Sequence, residues 1–172
     1  MAEYGEELVR EYLEGENDGG QWFVLINHKV KASIKHSPPK EIDIIAIKVN
    51  NKGEVIGKIF GEVKSWIDNA LNTKELEYIN RNIFENADLK KEVEKILGTD
   101  YQKVVYCTFI VKNDKAKKDL DKVKEEKNIK IITFKDIFEN LKNKALINPT
   151  KYEPKCIVSH TIRHLSKVEM LK

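Results

Sequence analysis

Three charged residues sit inside apolar runs of the stretch EIDIIAIKVNNKGEVIGKIFGEVKSW, residues 41–66. Asp43 lies in the first run, and Glu62 and Lys64, separated by Val63, lie in the second. Charged side chains rarely occupy strand cores unless they are paired or bind something. Strand alternation puts Glu62 and Lys64 on one face, about 7 Å apart along the chain, with Val63 on the other. If the two runs form a hairpin, Asp43 lies on the neighbouring strand within cross-strand reach of Glu62. Two carboxylates brought together repel each other unless a cation sits between them. A few hard oxygen ligands with room for water are what Mg²⁺ takes, with Mn²⁺ as a substitute. A lysine beside such a cation can orient or deprotonate a water and stabilise charge on a phosphoryl oxygen. The plainer alternative is a strand-end Asp43 and a surface Glu62–Lys64 ion pair worth ~0–1 kcal/mol.

The elements that would position these residues are legible as patterns. Residues 4–14, YGEELVREYLE, read as a helix with Leu8, Val9, Tyr12 and Leu13 on one face. Glu6 falls at the edge of that face, in line with Val9 and Leu13, and so leans toward the sheet; Glu7, Glu11 and Glu14 are expected to face water. QWFVLINHKVKASI is β-rich, and KHSPPK breaks it. EIDIIAIKV and VIGKIFGEVKSW form the hairpin around the turn NNKGE. TKELEYINRNIF and DLKKEVEKILG are helical, the second closed by Gly98. QKVVYCTFIV reads as a buried strand, DKAKKDLDKVKEEKN as a helix, IKIITF as a strand and KDIFENLKNKAL as a last helix. A strand meander followed by a βαβ unit predicts an α/β fold with a mixed sheet flanked by helices.

The chain has 172 residues, enough for one domain with a sizeable core. We place that domain at residues 1–147 and a C-terminal extension, weakly patterned, at 148–172. The net charge of +3 is small against a charged fraction of 34%, so an anionic partner must be met by a local patch. Cys107 and Cys156 lack the spacing of a metal site or a disulfide framework, and Cys107 reads as a buried thiol. No apolar stretch approaches the length of a membrane span, and the N-terminus lacks a signal-peptide pattern. These features predict a cytoplasmic protein with no membrane partner.

GEELVREYL, EIDIIAI and GEVKS, taken together, resemble the three motifs of the PD-(D/E)XK nuclease superfamily, and most closely those of archaeal Holliday-junction resolvase-like proteins. The specific resemblance covers residues 4–66. It implies a restriction-endonuclease-like mixed β-sheet flanked by α-helices and a Mg²⁺-dependent endonuclease or other phosphodiester hydrolase. Carried over residue by residue, it makes Asp43 and Glu62 the metal-binding acids, Lys64 the catalytic lysine and Glu6 the helix-one glutamate. The backbone carbonyl of Val63 would complete the metal ligands. The chain departs from the family pattern in two places. Ile42-Asp43 replaces the Pro-Asp pair, with Pro38 and Pro39 upstream, and Ser65 and Trp66 follow the lysine where resolvases often carry a basic residue. A shared fold does not choose a substrate.

No acidic residue lies between Asp18 and Glu41, while His28, Lys29, Lys31, Lys35, His36 and Lys40 do. This stretch runs into the Asp43 strand, so Lys29, Lys31, Lys35 and Lys40 are the candidate nucleic-acid contacts, with DNA the expected partner. No base-reading motif is visible, which favours recognition by backbone and shape, as in a structure-specific repair or recombination enzyme. The alternative from another class is a non-catalytic nucleic-acid-binding protein that keeps the fold. The extension carries Lys151, Lys155, Arg163, Lys167 and Lys172 and is expected to add phosphate contacts or a homodimer contact. His160 and His164 have metal-pair spacing but read as surface residues. Trp22 and Trp66 read as core rather than base-stacking side chains.

Overall fold

The computed structural model describes residues 3–16, 18–33, 37–65 and 70–147. Lys35, Trp66 and the whole extension, with its basic and histidine residues, lie outside them. Eleven elements follow in order: α1 (Glu3–Glu14), β1 (Gln21–Val30), β2 (Lys40–Val49), β3 (Val55–Lys64), α2 (Thr73–Ile79) running into a π-helical turn (Asn80–Phe84), α3 (Ala87–Leu97), β4 (Gln102–Cys107), α4 (Asp114–Glu126), β5 (Ile129–Thr133) and α5 (Phe134–Ile147). The strands form one mixed sheet in the order β1-β2-β3-β4-β5. β1, β2 and β3 pair antiparallel, and β4 and β5 run parallel to β3. The expected α/β class with a mixed sheet is what forms.

The hairpin turn works as its residues suggest. Gly53 takes φ 81°, which costs glycine little, and the Asn50 side chain accepts from the Lys52 and Glu54 amides. From β3 onward the strands step one way across the sheet, so crossovers of one hand put α2, α3 and α4 on one face. There Leu76, Ile79, Leu89, Val93 and Leu120 pack on Ile45, Phe60 and Val105. On the other face α1 and α5 contribute Leu8, Val9, Leu13, Ile137 and Leu141 against Ile44, Val63 and Tyr106.

Three expectations need correction. Glu11 does not face water; it is buried, because α5 packs beside α1 and extends the helix's covered arc past the sheet. β4 ends at Cys107 rather than continuing to Val111. Beyond it, the Phe109 carbonyl and Val111 amide bond to Leu71, so this segment leaves the sheet for a separate bridge. β3 ends at Lys64, two residues before Trp66.

Candidate functional site

The β2–β3 ladder runs from Val49↔Val55 to Ile44↔Gly61 and stops there. The next acceptor offered to β3 is a side chain: Asp43 Oδ2 accepts from the Val63 amide at 2.8 Å. On its other edge β3 stays paired with β4 as far as Lys64↔Cys107. The sheet is therefore forked at this end, with Asp43 bridging the fork. Within a strand the N–H and C=O of one residue point the same way, so the Val63 carbonyl also faces the fork. The Lys64 carbonyl faces β4, where it accepts from the Thr108 amide at 3.2 Å.

Glu62 is buried, with 5% of its side chain exposed, and its Oε1 lies 2.5 Å from Lys64 Nζ. The Lys64 side chain is 19% exposed. This is a largely desolvated pair, unlike the surface pair of the plainer alternative, and desolvation offsets much of its attraction. Burial, reinforced by the Asp43 carboxylate and opposed by Lys64, pushes the Glu62 carboxyl up to about 8. A hydrogen bond to Asp43 adds to the rise, so the two carboxyl groups are in contact. Val63 packs with α1 and α5, and Phe60 with the opposite core; by alternation Glu62 and Lys64 turn toward the α2–α4 face.

Glu6 arrives from the α1 side. Gly5 makes the approach close: a Cβ there would lie 2.9 Å from Val63 Cγ1 and 3.3 Å from Ser65 Cβ. Glu6 is buried, and its Oε2 has no hydrogen-bond partner. Burial raises its pKa, and Asp43 and Glu41 raise it further against a backbone hydrogen bond. Glu7, by contrast, pairs with Arg10 near the surface. The structure thus joins Asp43, Glu62 and Lys64 in one cluster. Glu6 lies on the α1 side, within electrostatic range of Asp43.

Among the described residues, no group of three or more His, Cys, Asp or Glu side chains forms a ready-made metal cage. What could hold a hard cation is smaller: the Asp43 and Glu62 carboxylates, the Val63 carbonyl and water, with Glu6 behind Asp43. Two carboxylates in contact, one with a raised pKa, fit a site that a divalent ion would relax.

The basic stretch is only partly available. Lys29 and Lys31 are exposed. Lys40 Nζ bonds Asp88 Oδ2 at 2.8 Å and Asn86 Oδ1 at 2.9 Å, and His28 lies 3.3 Å from Glu92. Lys40 holds the Asp88 carboxyl down to about 2. These acids come from α3, distant in sequence. On the far side of the fork a cleft of about 390 Å³ lies beside Thr108 and is lined by Lys112, Lys117 and Lys135. Exposed lysines therefore flank the carboxylates along one end of the sheet. Sequence reasoning missed these three, whose only signal was their place just after β4 and β5. It also missed Asn27, which stands opposite Asp43.

Compared with known proteins, the chain matches no family model, no curated protein and no solved structure.

Proposed function

We propose that this chain is a metal-dependent nuclease with a restriction-endonuclease-like core, hydrolysing phosphodiester bonds of DNA with a preference for structure over sequence. The observation that carries the reading is the meeting of the Asp43 and Glu62 carboxylates at the fork, beside Lys64. A binding module gains nothing from buried negative charge next to phosphates, whereas a metal site requires it. Asp43, Glu62 and the Val63 carbonyl would hold Mg²⁺ or Mn²⁺. The ion, when bound, would supply Lewis-acid polarisation of the scissile phosphate and a more acidic water. Lys64 would orient the attacking water and stabilise charge on the phosphoryl oxygen. Glu6 would complete or support the site from the α1 side. Lys29 and Lys31 on one flank, and Lys112, Lys117 and Lys135 on the other, would seat the phosphate backbone across the fork. No helix among the described residues is long and apolar enough to cross a membrane.

The test is cleavage of branched, single-stranded and linear DNA by the parent and by Asp43→Asn, with Mg²⁺ or Mn²⁺. Cleavage by the parent and none by Asp43→Asn supports the reading. No cleavage of any substrate with either metal overturns it.

A further inference from the structure

Asn27 has φ 54° in the middle of β1. A left-handed residue is uncommon in a strand, and asparagine is among the few side chains that tolerate it. The flanking pairs of the β1–β2 ladder are Ile26↔Ile44 and His28↔Ile42; Asn27 and Asp43 face each other but do not pair. Neither strand gains a residue, so this is not a register slip. Both strands nevertheless reverse their facing here. Ile44 packs with the α1–α5 core and Ile26 packs against it, while Ile42 and Val30 belong to the α2–α4 core. Residues two apart on a regular strand share a face. Regular alternation would point Asp43 into the α2–α4 layer, as it does Ile45. Instead its carboxylate lies in the plane of the sheet against the Val63 amide.

The positive φ belongs to Asn27 and not to Asp43. Asn27 Oδ1 is buried with no hydrogen-bond partner, so the side-chain oxygen does not fix this conformation. We propose that Asn27 is a positioning residue whose left-handed backbone twists β1 and β2 together, so that Asp43 leaves the ladder and bridges the fork. Its consequence for activity rests on the nuclease reading; the placement of Asp43 does not.

The experiment compares the parent with Asn27→Gly, which accepts a left-handed backbone, and Asn27→Ala, which resists it. Two quantities are read: Mn²⁺ affinity by calorimetry, and hydrogen exchange of the Val63 amide. Asn27→Gly is expected to stay within about threefold of the parent in both. Asn27→Ala is expected to lose about 10–100-fold in Mn²⁺ affinity, the range for residues that orient a ligand. Its Val63 amide should exchange about tenfold faster or more while the Val105 amide stays protected. A parent-like Asn27→Ala overturns the inference. So does an Asn27→Gly protein that loses Mn²⁺ affinity or Val63 protection, a result that decides the matter even if Asn27→Ala does not fold. If the parent binds no Mn²⁺, the nuclease reading fails, and Val63 exchange alone still judges Asn27.

Discussion

The Asp43 carboxylate takes the place of a main-chain acceptor, receiving the Val63 amide at 2.8 Å just past the last β2–β3 pair. One side chain therefore closes the sheet and contributes to the candidate site. The two roles are separable. Asparagine keeps an acceptor for Val63 and loses the charge, so Asp43→Asn should hold stability within ~0.5 kcal/mol of the parent, as for substitutions that spare such features. It should lose Mn²⁺ binding and cleavage. Asp43→Ala leaves the amide without its acceptor and should cost ~1–3 kcal/mol. Urea denaturation with calorimetric Mn²⁺ titration checks both; equal stability of the two variants would contradict the bridging role.

Glu6 and Glu7 are adjacent in sequence and opposite in environment. Glu6 is buried with an unpartnered oxygen, and Glu7 pairs with Arg10 near the surface. Glu6→Gln should reduce cleavage about tenfold or more, as for groups that support a metal site, and leave the fold as stable or more so. Glu7→Gln should change stability by no more than ~0.5 kcal/mol and leave the rate untouched. Parallel single-turnover assays decide; loss of cleavage in Glu7→Gln alone would place the wrong face of α1 at the site.

The helix register of Glu6 and the shared face of Glu62 and Lys64 were legible because they follow from periods of 3.6 and 2 within single elements, and the short NNKGE turn made the neighbouring position of Asp43 legible too. The misreadings arise where distant segments meet. Glu11 looks solvent-facing on α1 alone. It is buried because α5 packs beside that helix, bringing in Lys144, whose pKa burial lowers and Glu11 partly restores. The run from His28 to Lys40 looks purely basic, yet α3 supplies Asp88 and Glu92 to it. Asn27 was invisible for another reason: alternation assumes a regular backbone, and the residue that breaks it carries no pattern of its own.

Glu62 should make the metal-free protein less stable as pH rises. Its carboxyl holds a proton more tightly in the folded chain, about 8 against an ordinary 4.5, because burial and Asp43 disfavour the charge. Its contribution is complete below the unfolded value and is lost as pH climbs to the folded one. Metal-free stability should therefore fall between about pH 5 and pH 8, and Glu62→Gln should flatten that slope. Because a ligand must shed its proton, Mn²⁺ affinity should rise over the same window. Denaturation curves at several pH values, with and without Mn²⁺, test this; a metal-free slope unchanged in Glu62→Gln would assign the dependence elsewhere.

Lys64→Ala should abolish cleavage while sparing DNA binding. Lys64 shares a strand face and an ion pair with Glu62, which places its ammonium beside any water or phosphate oxygen held at the fork. Removing one preorganised charge of this kind costs about 2.7–4 kcal/mol in the transition state, a factor of ~10²–10³ in rate. The fold should survive, because Glu62, left without its partner, takes up a proton instead of standing charged and buried. Lys64→Arg should not restore the rate, since a planar guanidinium does not replace a compact ammonium at close quarters. Binding should fall little, because the proposed phosphate contacts lie on the flanks. Changing Lys112, Lys117 and Lys135 together should weaken DNA affinity and reduce its salt dependence, and changing Lys29 and Lys31 should do the same from the other side. The measurement pairs a single-turnover rate with affinity across a salt series for each variant. A Lys64→Ala protein that cuts as fast as the parent would reduce the Glu62–Lys64 pair to a structural one and remove the lysine from the chemistry.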